Sequence, residues 1–144
     1  MKQFISHSDK ETREFAKKLA KNVRGVIGLT GELGVGKTTF AQGFAEGLKI
    51  KDKIISPTFI LIRQYQIPKN KKILFHIDLY RLNNLSNIDH IGLREIIENP
   101  RSIVLIEWAE KVKKILPKNT IWIKIKQLKD NKRRIIMKKV QVSS

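Results

Sequence analysis

Eight consecutive residues, "GELGVGKT" from Gly31 to Thr38, constrain this chain more than any other stretch. Gly31, Gly34 and Gly36 crowd into it, and Lys37 and Thr38 follow at once. An apolar run, "GVIGL" (Gly25 to Leu29), precedes it and reads as a short buried strand. Phe40, Phe44 and Leu48 come after it at i, i+4 and i+8, one stripe of an amphipathic helix. Strand, glycine-rich loop and helix in that order form a cradle for an anion. Glycines let the main chain curl tightly and approach a ligand closely. The curl aims successive N–H groups inward, and the helix start adds its positive dipole end. The spacing G-x-x-x-x-G-K-[ST] is matched at every fixed position. In such a loop the backbone wraps a polyphosphate, Lys37 reaches the β and γ oxygens, and Thr38 offers a hydroxyl to Mg²⁺. Leu33, Gly34, Val35, Gly36, Lys37, Thr38 and Thr39 are the candidate nucleotide-binding residues of the loop.

Guanine-reading P-loop proteins commonly carry N-K-x-D. The Asn-Lys pairs here, at Asn70 and Asn131, both lack the aspartate, which favours ATP. Hydrolysis also needs carboxylates for Mg²⁺ and a positioned water. Two acids end apolar strand candidates: Asp78 closes "ILFHID" and Glu107 closes "IVLIE". Ligands of open α/β sheets gather beyond the carboxyl ends of the strands, so both acids fit beside bound phosphates. Glu107 is assigned as the acid near the metal and Asp78 as a second metal-side or water-orienting group. Their roles are interchangeable at the level of sequence. Thr58, in "SPTF", lies on a proline-preceded loop where GTPase-type proteins place a switch threonine. Glu110 reads as surface or nucleotide rim, Trp108 as core by default with nucleotide rim or partner contact as alternatives, and His76 and His90 as structural.

The remaining chain alternates helix and strand. "SDKE" from Ser8 has the S-x-x-E form of a capping box, followed by Phe15, Leu19 and Val23 at helical spacing. "SPTFILIRQYQI" reads as a loop feeding a strand, and "SNIDHIGLREIIENP" as a helix capped by Ser86. The tail alternates apolar and polar residues around "KDNK", a hairpin with one wet face. At 144 residues the pattern predicts a single α/β P-loop domain with a central mixed, mainly parallel sheet flanked by helices and a C-terminal antiparallel hairpin.

Composition narrows the setting. The chain has no cysteine, which suits a reducing cytoplasm. Its start turns polar at once and no apolar run nears the roughly 20 residues of a membrane span, so a soluble cytoplasmic protein is expected. The net charge of +17 attracts polyanions, but the lysines are scattered and match the bias of an AT-rich genome. Charge alone does not establish a nucleic-acid surface.

"GELGVGKTTFAQGFAEGL", "SPTFILIRQY", "HIDLYRL" and "IEWAE", in that order, resemble the small bacterial ATPases of tRNA threonylcarbamoyladenosine synthesis (TsaE, formerly YjeE). The resemblance covers essentially the whole chain. Glu32 departs from the aspartate of many relatives, though both are acids. The resemblance implies a P-loop fold, Mg·ATP binding and slow ATP hydrolysis. It implies partnership with a threonylcarbamoyl transferase and its paralogue-type partner protein, with room for tRNA contact inside the complex. In that scheme the transfer chemistry belongs to the partner. Thr38 and Glu107 would attend the metal, with Asp78 and Thr58 in switch or catalytic support. Asp9, Thr12 and Arg133 would lie near the adenine. The competing reading is a small-molecule P-loop kinase, suggested by "DLYR" and opposed by the lack of an arginine-rich lid.

Overall fold

The computed structural model describes residues 2–32, 34–54, 62–82 and 92–139. Seven strands form one sheet: β1 (Lys2–Ser6), β2 (Val26–Thr30), β3 (Ile62–Gln66), β4 (Ile73–Asp78), β5 (Ser102–Glu107), β6 (Ile121–Gln127) and β7 (Arg133–Lys139). Their spatial order is β1-β7-β6-β2-β5-β4-β3. The four central strands β6, β2, β5 and β4 are mutually parallel, while β1, β7 and β3 join by antiparallel pairing. Five of the seven strands therefore point the same way, the mixed and mainly parallel sheet that the sequence predicts.

Burial follows from the strand sequences. β5 is buried at all six positions, as expected of a parallel strand covered on both faces. On one face α1 (Asp9–Ala20) and α2 (Lys37–Gly47) cover Ile27, Leu29, Leu74, Ile103 and Leu105. On the other, α3 (Leu93–Glu98) and a 3₁₀ segment (Ala109–Ile115) pack with Val26, Phe75, Ile77, Val104 and Ile106. Ser8 caps α1 by accepting from the Glu11 N–H, as the S-x-x-E pattern requires. α1 and α2 come very close at Gly43, which is buried against the backbone of Arg13.

"KDNK" forms the turn joining β6 to β7. Asp130 and Asn131 both take left-handed angles, φ 61 and 59, which suits a two-residue turn whose twist matches that of the strands. Two elements differ from expectation. β1 is a strand where the sequence reads only as a polar start, and its register against β7 runs from Lys2↔Met137 to Ser6↔Arg133. The helix expected over "SNIDHIGLREIIENP" spans Leu93–Glu98 in the described residues, entered through Gly92 at φ 74. Ser86 lies outside the described residues.

Candidate functional site

The site is built at the carboxyl edge of the parallel strands. The chain leaves β2 at Thr30 and enters α2 at Lys37 through a loop in which Gly31, Gly34 and Gly36 have φ of 141, 82 and 104. These are left-handed angles that β-carbon-bearing residues rarely adopt. Gly36 is the N-cap and brings no side chain to the first amides of α2, and the first turn holds no acid. The positive end of the helix is thus left for an anion other than the chain's own carboxylates.

Lys37 opens α2 and is buried. Its Nζ donates to the Gly31 carbonyl at 2.5 Å and lies 3.7 Å from the centroid of the Trp108 ring. Burial pushes its pKa below the usual lysine value, against the pull of Glu107, Glu110 and Asp78. An ammonium so placed gains from any anion that enters beside it.

The acids stand next to the loop because of strand order. β5 lies between β2 and β4, with Glu107 paired to Leu29 on one side and to Asp78 on the other. Both acids end their strands and both are buried. Parallel register puts their side chains on the same face of the sheet, the face that carries α2. Asp78 Oδ1 accepts from the Tyr80 N–H at 2.9 Å. Glu107 Oε2 is 2.6 Å from His76 Nε2. Because a carboxylate only accepts, the imidazole nitrogen is the donor.

A wall comes from the far end of the sheet. Arg133, at the start of β7, reaches Asp9 at the start of α1 with a 3.0 Å ion pair, and its guanidinium lies over Gly36. Opposite it, Tyr80 and Trp108 meet with ring centroids 5.3 Å apart. Together these groups enclose a cavity of about 490 Å³ lined by Asp9, Gly34, Gly36, Lys37, Thr38, Thr39, Asp78, Tyr80, Glu107, Trp108 and Arg133. That size lies within the range of small-molecule sites.

Most of the nucleotide- and metal-site candidates line this cavity, and among the described ones Thr12 and the Val35 side chain do not. Thr12 is fully buried, with its hydroxyl 2.7 Å from Ser6 Oγ, and does not line the cavity. Val35 packs into the core and offers the cavity no side chain. Leu33 and Thr58 lie outside the described residues, as do the rest of "SPTF" and His90. Trp108 meets two of the readings open to it: half-buried at φ 60, it packs against the core cluster under α3 and also lines the cavity. Tyr80 was missed, although its place two residues after a strand-ending acid was the available signal. His76 is structural in a particular sense, since its one hydrogen bond among the described residues holds Glu107.

Among the described residues no cluster of three or more His, Cys, Asp or Glu could hold a metal by itself. One or two carboxylates plus a hydroxyl is the donor set of a Mg²⁺ ion shared with substrate phosphates.

Comparison with known proteins agrees with the fold and order of motifs. The family model for "Threonylcarbamoyl adenosine biosynthesis protein TsaE" matches residues 6–135. A relative from Rickettsia bellii, named as a tRNA threonylcarbamoyladenosine biosynthesis protein TsaE, is 38% identical over 134 residues, covering 91% of this chain and 90% of its own. The protein of the same name from Aquifex aeolicus is 36% identical over 139 residues, 94% of each chain. The Bacillus subtilis protein of that name is 38% identical over 130 residues, covering 87% of this chain and 77% of its own. The crystal structure of Bacillus subtilis YdiB superimposes with a TM-score of 0.76 at 32% identity, over 97% of this chain and 86% of that one. With 130 consecutive residues inside the family model and whole-length relatives from distant bacteria, the chain belongs to the TsaE family.

Proposed function

We propose that this chain binds Mg·ATP in the cavity, hydrolyses it slowly, and so supports transfer of a threonylcarbamoyl group to the adenosine following the anticodon of tRNA. The transfer itself belongs to a partner transferase and its paralogue-type companion, and the nucleotide cycle resets that complex. The pathway is the one named for the relatives. One observation carries the nucleotide reading. A glycine loop, a buried lysine and two acids from adjacent strand tips all line a single cavity.

The chain's own groups divide the work. The amides from Gly34 to Thr38 and the start of α2 would bind the phosphates, and Lys37 would leave the Trp108 ring to pair with their charge. Thr38 and Glu107, with Asp78, would hold Mg²⁺. When bound, Mg²⁺ neutralises charge that builds on the β and γ oxygens. Asp78 or Glu107 would accept a hydrogen bond from the attacking water. Asp9, Arg133, Tyr80 and Trp108 would bound the nucleoside and keep out solvent. ATP is the favoured nucleotide because no N-K-x-D motif is present. No described helix is long and apolar enough to cross a membrane, and work on tRNA fits a cytoplasmic setting.

The test is ATP turnover by the purified chain with Mg²⁺, alone and with the transferase complex. Slow hydrolysis alone, stimulation by the complex and loss of both in Lys37→Ala are expected. Failure to bind ATP would end the reading, and phosphoryl transfer to a small acceptor above the hydrolysis background would replace it with a kinase.

A further inference from the structure

His76 sits on β4 two residues before Asp78, on the same face of the sheet, diagonally across from Glu107 on β5. It is 1% exposed, and that face is otherwise lined by Leu74, Ile103 and Leu105. A histidine buried for packing alone would have both ring nitrogens satisfied or be replaced by an apolar side chain. Among the described residues Nδ1 has no hydrogen-bond partner, and the imidazole's one polar contact there is the 2.6 Å bond from Nε2 to Glu107 Oε2. A buried polar group left half-satisfied is costly, so the bond to Glu107 is what gives a ring nitrogen at this position a purpose.

Resting on the nucleotide reading of the cavity, we propose that His76 is the positioning residue of Glu107. A glutamate has three side-chain torsions and can swing. Nε2 ties one carboxylate oxygen to a rigid interior strand and leaves the other for the contents of the cavity. Carboxylates that hold metals are oriented by such outer partners, whose loss costs about 10–100-fold in metal affinity or activity. His76 touches neither phosphate nor metal in this scheme, and it acts through Glu107.

The experiment compares His76→Leu, which removes the donor, with His76→Gln, whose amide nitrogen can stand where Nε2 stands. Three quantities are read: kcat and KM for ATP, calorimetric affinity for a non-hydrolysable ATP analogue with and without Mg²⁺, and thermal melting. In His76→Leu we expect kcat to fall about tenfold or more, KM to change little, and the Mg²⁺ enhancement of analogue binding to shrink by a similar factor. Analogue binding without Mg²⁺ stays as in the native protein. His76→Gln restores kcat and the Mg²⁺ enhancement to within about threefold. If His76→Leu does not fold, His76→Phe keeps the ring volume without a donor and is judged by the same comparison. Native kcat and Mg²⁺ enhancement in the donorless variant would overturn the proposal, and so would equal impairment of the leucine and glutamine variants. If the native protein itself binds no Mg·ATP, the nucleotide reading falls instead. The two failures are therefore distinguishable.

Discussion

Replacing Gly43 by alanine sets two effects of opposite sign against each other. Gly43 lies inside α2, where alanine is favoured by about 0.5–1 kcal/mol through the lower entropy of its unfolded chain. In the fold that gain meets α1. An alanine β-carbon would overlap the Arg13 carbonyl oxygen and stand 2.8 Å from the Arg13 carbonyl carbon and α-carbon. Ordinary contact begins at about 3.4 Å, so clearing the carbonyl oxygen requires the two helices to part by about 1 Å at this point. Both colliding groups are backbone, which no rotamer change relieves. Overpacking of this kind costs about 1–3 kcal/mol, and mid-range values leave a net loss of about 1 kcal/mol, at most about 2.5, after the propensity gain. At about 4 °C per kcal/mol for a chain of this size, Tm falls by about 4 °C, and by about 10 °C at the upper end. Function should follow, because α1 carries Asp9, whose bond to Arg133 closes the cavity wall. Thermal melting by circular dichroism gives the first quantity and calorimetric titration with Mg·ATP the second. A Tm equal to or above the native value would refute the reasoning, since it would show that helix propensity outweighs the α1–α2 contact.

Other expectations come from the same geometry. Lys37→Met should abolish Mg·ATP binding, yet leave the Tm of the nucleotide-free protein unchanged or up to about 4 °C higher, because burial already disfavours the ammonium there; a clear fall in Tm would contradict this. The lowered pKa of Lys37 also has a pH signature. The native lysine gives up its proton before the unfolded one does, so its destabilising effect fades as pH rises toward the ordinary value of 10.5. The Tm of native protein relative to Lys37→Met should therefore climb over the alkaline range while ATP affinity drops, and a relative Tm that declines there would be inconsistent. In a Trp122→Phe background, Mg·ATP should change the emission of Trp108 as Lys37 leaves its ring; unaltered emission at saturation would count against that movement. Glu107→Ala should lower kcat about a hundredfold or more if it removes several kcal/mol of transition-state stabilisation, and near-native turnover would remove Glu107 from the chemistry.

The parts of the fold that the sequence made legible are those where local chemistry and tertiary need coincide. The glycine spacing from Gly31 to Gly36, the apolar run of β5 ending at Glu107 and the Asp-Asn turn of the β6–β7 hairpin each state their structure within about ten residues. β1 was not legible because "KQFIS" is too short to alternate convincingly, and it is held by pairing to a strand 131 residues away at its centre, Phe4 to Ile135. In the site, the loop, Lys37 and the two strand-ending acids could be read because each has a fixed offset from a recognisable element. The neighbour of His76 could not, since an isolated histidine in an apolar strand defaults to core and only the diagonal β4–β5 register reveals what it faces. For Trp108 the sequence left core, rim and partner contact open, and the left-handed turn there brings it to the cavity wall. Thr12 stands apart from the cavity lining for the converse reason. It lies one turn along α1 from Asp9, but the helix rotates it inward onto Ser6.

The central claim is that main-chain amides after β2 converge on one polyphosphate while Asp78 and Glu107 converge on its counter-ion. A crystal structure with a non-hydrolysable ATP analogue and Mg²⁺ tests it most directly. The account predicts phosphate oxygens within about 2.7–3.2 Å of the amides between Gly34 and Thr38, Lys37 Nζ drawn off the Trp108 ring onto them, and the metal beside Thr38 and the two acids. Phosphates bound elsewhere, or Asp78 and Glu107 both out of reach of the metal, would contradict it.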